Sequence, residues 1–189
     1  MLNFIKQFLL NAKQTGAIAK SSEELADLIT DSVNLKNAKV IVELGPGTGI
    51  FTKKILEKKS KKSIFFALET NPFFASETKN NCSDAIVYRD SAICIQKYLF
   101  KHKVKACDCI ISGLPWAAFG NNLQQELINS IFSSLRNGGE FATFAYIQGP
   151  LLSAGKRFKN MLEDDFSQVA KTRIVWKNIP PAFVYQCKK

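Results

Sequence analysis

Histidine is almost missing from the chain: of 189 residues only His102 is one, and it lies in the lysine-rich "FKHKVK", which reads as a solvated loop rather than a catalytic base. The five cysteines are odd in number and scattered. None shows the paired spacing of a zinc site or a disulfide framework, so they read as reduced structural thiols. Cys107 and Cys109 flank Asp108 in a predicted strand, which would put both thiols on one face. No apolar run approaches the roughly 20 residues needed to cross a bilayer. The one in "MLNFIKQFLLNAKQTG" is interrupted by Lys6, Gln7 and Asn11, and no small-residue cleavage site follows it. Internal repeats, low-complexity linkers and a second-domain boundary are missing too. Acidic residues are in the minority, 16 against 26 Lys plus Arg, for a formal net charge of +10. These shortages argue against a disulfide scaffold and a membrane-spanning chain. They predict a single cytoplasmic domain over residues 1–189, a monomer whose surface attracts a polyanion, either nucleic acid or an anionic membrane.

What is present is enough for a core, since 46% of the residues are hydrophobic. Leu2, Ile5, Phe8, Leu9 and Ala12 recur at helical spacing, and a second helix is predicted over about Ser22 to Val33. Its start carries a capping signature at Ser21 or Ser22 with Glu24, and Leu25, Leu28, Ile29 and Val33 form its buried stripe. These two helices make up an N-terminal segment, residues 1–34. Residues 35–189 form the predicted core: from Lys39 the pattern changes to short apolar runs, "KVIVEL", "SIFFALE", "AIVYRD", "CDCIIS" and "EFATFAYI", separated by amphipathic stretches near 49–58, 72–80, 91–100 and 123–135. Continuous apolar strands alternating with helices predict an α/β fold with a parallel sheet covered on both faces. The tail holds two β-rich runs around "NIPP", which predicts a closing hairpin with Pro180 and Pro181 at the turn or at the start of an edge strand.

The strand "KVIVEL" runs straight into "GPGTG" and then a helix, so Gly45, Gly47 and Gly49 stand where the chain must turn and let a ligand approach its backbone. The spacing is one residue shorter than the dinucleotide fingerprint, and a tight turn alone would also explain it. Glu69 ends the next strand, twenty residues after Gly49, where a carboxylate can accept from both hydroxyls of a ribose. Asp90 and Ser91 end the third. All three sites fall at strand C-terminal ends, where open α/β sheets bind ligands.

These residues resemble the class I S-adenosylmethionine-dependent methyltransferases. "VELGPGTG" is similar to their first motif, Glu69 to their ribose-binding acid, and Asp90 to their adenine-contacting residue with Ser91 beside it. The resemblance implies S-adenosyl-L-methionine as cofactor and a Rossmann-like, seven-stranded, mostly parallel sheet whose last strand is antiparallel. Glu43 either caps a local turn or stands near the methionine end of the cofactor.

The acceptor is read from "IISGLPWAAFG" after the fourth strand. Adenine N6-methyltransferases of ribosomal RNA carry an Asn or Asp there, followed by an apolar residue, Pro and an aromatic. Here Leu114-Pro115-Trp116 keep the end of that pattern while Gly113 takes the polar position. The RNA enzymes also carry a further helical C-terminal domain, for which no counterpart is expected after the hairpin. "GAIAKSS", "VELGPGTGIFT", "SGLPW" beginning at Ser112, "FATFAYIQGP" and "VWKNIPPAFVY" together are similar to bacterial phospholipid N-methyltransferases, relatives of those RNA enzymes. Ala19-Lys20 and Ala145 depart from that pattern.

The resemblance implies N-methylation of phosphatidylethanolamine towards phosphatidylcholine, at a membrane to which the chain binds peripherally from the cytoplasmic side. The cofactor set is then Glu43, Gly45, Gly47, Gly49, Glu69, Asp90, Ser91 and Ser112. Tyr146 becomes a hydrogen-bond partner of the acceptor and Trp116 an aromatic face for its ammonium, or else both are core residues. The helix over Leu2–Ala12 could lie in the lipid interface or pack over the sheet, and Lys156, Arg157 and Lys159 could meet lipid phosphate or water. The rival readings are an adenine N6-methyltransferase acting on RNA and a basic binding module that keeps the fold without turnover.

Overall fold

The structure, a computed structural model, describes residues 21–189. The expected helix over Leu2–Ala12 and most of "GAIAKSS" lie outside them. Helix α1 spans Glu23–Asp31; Ser22 caps it by accepting from the Leu25 amide, and Glu23 and Glu24 sit in its first turn, where the helix dipole favours acids. Its buried side, Leu25, Ala26 and Ile29, is the one set by the apolar stripe.

The strand–helix alternation follows as β1 Val40–Leu44, α2 Ile50–Lys58, β2 Ile64–Leu68, α3 Pro72–Asn81, β3 Ile86–Tyr88, α4 Ile95–Lys101, β4 Cys107–Ser112, α5 Asn121–Ser134 and β5 Leu135–Tyr146. It closes with α6 Ser153–Asp165, β6 Gln168–Lys171 and β7 Ala182–Lys188. The predicted helix over 91–100 is divided, a short 3-10 turn at Ala92–Cys94 leading into α4. Helices α1 and α2 are tied by Lys54, paired with Glu23 and Asp27, and by Lys58, paired with Asp27 and Asp31.

The seven strands are ordered β3-β2-β1-β4-β5-β7-β6. The first five are parallel, and β7 runs antiparallel to both β5 and β6. Each face of the sheet carries its own core, one around Phe66, Ile110, Trp116 and Phe158, the other around Ile29, Ile41, Phe51 and Val184. Because Leu44 pairs with Leu68 and Ser112, the C-terminal ends of β1, β2 and β4 come level at one edge, and β5, where Thr143 pairs with Ser112, continues past it to Tyr146. Antiparallel β7 begins at that same edge, where Ala182 pairs with Tyr146.

Three expectations change. The two β-rich tail runs do pair, but β7 is an interior strand and β6 the edge; Pro180 and Pro181 precede Ala182, where β7 starts. Cys107 and Cys109 do not share a face: Cys107 packs in one core and Cys109 in the other, because the pairing of β4 with β5 shifts register between them. Asp108, between them, accepts from the Lys39 and Val40 amides and pairs with Arg136. His102 is not a loop residue in water. It stacks on Phe66 at 5.0 Å and shares a hydrogen bond with the Tyr88 hydroxyl, and burial lowers its pKa. Among the described residues no helix is long and apolar enough to cross a membrane, and no cluster of ligands suits a metal ion.

Candidate functional site

The glycine loop follows directly from β1. Gly47 and Gly49 take positive φ, +61° and +90°, a region that costs a side-chain-bearing residue strain but glycine little. Gly49 is the N-cap of α2, while Gly47 has none of the described residues within 4 Å of where a Cβ would stand and borders a cavity. Its carbonyl accepts from Thr78 Oγ1 and its amide points to Glu69 Oε2 at 3.4 Å. Glu69, just past β2, also accepts from the Asn71 amide, and burial raises its pKa.

The cavity, about 700 Å³, is lined by Gly45, Gly47, Glu69, Trp116 and Tyr146 among others, so five of the ten predicted site residues meet on it. Glu43, Gly49, Asp90, Ser91 and Ser112 are not among the residues that line it. Glu43 is fully buried in β1, with Oε2 accepting from Thr52 in the first turn of α2 and Oε1 without a partner among the described residues. Asp90 is turned towards α4. Its carboxylate accepts from Lys97, Tyr98 and the Ser91 amide, and these contacts, Lys97 foremost, hold it well below the usual carboxylate range. Ser91 caps the 3-10 turn through the Ile93 amide. Ser112 is buried, accepting at Oγ from the Leu114 amide and at its carbonyl from Thr143.

Gly113 answers a question of space. A Cβ there would lie 2.5 Å from the Gly45 carbonyl oxygen, and both backbones are pinned: the Gly113 amide donates to Leu44 and the Gly45 amide to Leu68. The polar residue of the adenine pattern therefore has no room in this arrangement. Next along, Trp116 is buried, donates from Nε1 to Thr143 Oγ1 at 2.8 Å, and stacks on Phe158 at 4.2 Å. Tyr146 is half-buried at the end of β5, edge-on to Phe144, and burial raises its pKa.

A model of the ribosomal RNA adenine dimethylase family matches residues 13–138. The chain belongs to that family. This dimethylase-family chain is similar along 98% of its length, at 27% identity, to the ornithine lipid N-methyltransferase of Singulisphaera acidiphila, 94% of which is covered. It is also similar, at 29% identity over 92 residues, to the dimethyladenosine transferase of Chaetomium thermophilum, of which it spans only 23%. In fold it matches an O-methyltransferase from Bacillus cereus solved with S-adenosylhomocysteine, with a TM-score of 0.73, 14% identity and coverage of 100% of this chain and 91% of that one. The N-methyltransferase NodS of Bradyrhizobium japonicum gives a TM-score of 0.66 at 10% identity, covering 88% and 86%. The chain is an S-adenosylmethionine-dependent methyltransferase.

Two local observations fit that cofactor: open space over Gly47, and a cavity-lining Glu69 carboxylate that keeps acceptor capacity beyond its two amide contacts. Two residues of the dimethylase-family site were not singled out from sequence. Tyr185 of β7 is 1% exposed and lines the cavity, and its buried hydroxyl has no partner among the described residues; burial pushes its pKa up to about 12. Strand alternation after "NIPP" could have flagged it. Gln124 of α5 donates to the carbonyls of Trp116 and Ala154 and so fastens the two segments that wall the cavity, a contact with no local sequence signal.

Burial, with the nearby Glu69 charge adding to it, raises Glu43 to about 8. A carboxyl raised in the folded state favours folding fully below its unfolded value, about 4.5, and loses that contribution as pH rises through 8. Without cofactor, Glu43→Gln is therefore expected to gain stability relative to the parent between pH 5 and 8, by at most about 1.4 kcal/mol per pH unit. Urea unfolding at several pH values checks this, and a pH-independent difference would contradict it.

Proposed function

We propose that this chain N-methylates the head-group amine of a phospholipid, taking phosphatidylethanolamine towards phosphatidylcholine. The observation that carries the reading is an apolar cavity contiguous with the glycine loop, at the place where Gly113 leaves no room for a carboxamide or carboxylate to hold an adenine amine. The full-length similarity to a lipid N-methyltransferase supports it.

In this reading Gly45 and Gly47 let the backbone approach the cofactor, Gly49 starts the helix beneath it, and Glu69 accepts from the ribose hydroxyls. Glu43 holds Thr52 under the methionine end, Asp90 and Ser91 form the adenine side, and Ser112 fixes the turn into Gly113. The bound cofactor supplies an electrophilic methyl group on a sulfonium. The protein's share is to orient a deprotonated amine in a water-poor site. Tyr146 is the hydrogen-bond partner for that amine, and Trp116 with Phe158 forms the aromatic wall beside it.

Adenine N6-methylation of ribosomal RNA is the second reading, favoured by the family match and the +10 charge. Methyl-labelled S-adenosylmethionine offered with detergent-dispersed phosphatidylethanolamine, ornithine lipid or ribosomal RNA separates the two. Label is expected in phosphatidylethanolamine as successively methylated products. Label in ornithine lipid alone would move the acceptor within the lipid amines, and label in RNA alone would overturn the proposal.

A further inference from the structure

Two exposed apolar stretches flank the mouth of the cavity. One follows β5 and contains Ile147, Leu151 and Leu152; the other precedes β7 and contains Trp176 and Ile179. Leu151 is 76% exposed and Ile179 77%. The two stretches are held together, because the Ile147 amide donates to the Pro181 carbonyl at 3.0 Å and Tyr146 pairs with Ala182. Leu152 and Pro180, one from each, line the cavity. A single exposed leucine is ordinary, but large apolar side chains on adjoining loops around one apolar opening mark a surface that meets something.

Charge is segregated onto the same stretches. No acidic residue occurs between Glu140 and Glu163, and none after Asp165. Lys156, at the start of α6, and Lys177, beside Trp176, are exposed and make no ion pair among the described residues. Arg157 has a buried Nε with no hydrogen-bond partner among the described residues. The acids of α6 begin at Glu163, about 10 Å along the helix from Lys156. The mouth is thus apolar at its lip and cationic immediately around it.

We infer that this lip is the face that docks on an anionic bilayer. Leu151, Leu152 and Ile179 enter the acyl boundary, Lys156, Arg157 and Lys177 meet lipid phosphates, and the cavity opens straight into the lipid layer. A lipid amine then reaches the glycine loop while its acyl chains stay in the membrane. The inference rests on the lipid-amine reading for its purpose, but not for its geometry. RNA suits the lip less well, since single-stranded bases bind by stacking on aromatic rings and most of these side chains are aliphatic.

The test uses the full chain and the variant carrying Leu151→Glu with Ile179→Glu, neither residue being part of the cavity lining. Flotation is run with vesicles of phosphatidylcholine alone and of phosphatidylcholine mixed with phosphatidylglycerol. Methyl transfer is measured in parallel to a short-chain phosphatidylethanolamine dissolved as monomers. The parent is expected to float with the anionic vesicles and the variant to bind them roughly tenfold less. Transfer to the dissolved lipid and the unfolding midpoint stay at parental values. Equal vesicle binding by parent and variant would overturn the docking face, as would loss of RNA binding in the variant with vesicle binding intact. If the variant loses vesicle binding but the parent methylates no dissolved lipid amine, the docking face stands and the acceptor reading falls.

Discussion

Replacing Trp116 by alanine is expected to lower unfolding stability by about 3–5 kcal/mol, the usual loss when a buried large aromatic is truncated. The ring sits at the centre of one core, stacked on Phe158 and edge-on to Phe119 and Phe141, with its indole nitrogen bonded to Thr143. Thr143 in turn donates to the Ser112 carbonyl, so one side chain ties together the segment after β4, strand β5 and helix α6. Trp116→Phe keeps the stack and loses the hydrogen bond, and should cost nearer 1 kcal/mol. Urea unfolding distinguishes the pair; an unchanged midpoint for Trp116→Ala would show that the ring is not a core element. Activity lost in the alanine variant must therefore be compared with the phenylalanine variant before any of it is assigned to the acceptor's ammonium.

Gly113→Asn should abolish measurable S-adenosylmethionine binding and cost on the order of 1–3 kcal/mol of stability, the range for overpacking a closed site. The added Cβ would meet the Gly45 carbonyl oxygen at 2.5 Å. Neither backbone can yield cheaply, since the Gly113 amide is bonded to Leu44 and the Gly45 amide to Leu68, and Leu114 already packs over Gly45. The glycine loop is what must shift, and its position next to Glu69 is lost with it. Calorimetric titration with the cofactor checks the first effect and thermal unfolding the second. Undiminished cofactor affinity would show that the two loops can part, and would reopen the adenine reading.

The parts of the site that were legible in sequence are the local ones. Gly45, Gly47 and Gly49 lie within five residues between a strand and a helix, and Glu69 sits at the end of the next strand, so their approach needs only the strand–turn–helix order. Asp90 shows the limit of such reading. Its place at the end of β3 could be foreseen, but the direction of its carboxylate is set by Lys97 and Tyr98, both in the first turn of α4. Gly113 reads in sequence as a missing polar group, whereas in the fold it is a point where two loops touch. Tyr185 was hidden for a different reason: it lines the cavity only because β7 is inserted between β5 and β6.

The order of strands and helices, the helix caps and the sharp turn of the glycine loop are decided by the sequence itself, because each depends on residues a few positions apart. Which strand ends stand level, which face Cys107 and Cys109 take, and which side chains wall the cavity depend on register and on contacts between distant segments. The lip of the cavity belongs to this second group. Ile147 and Ile179 are 32 residues apart in the chain, and antiparallel pairing of β5 with β7 brings their loops to one edge.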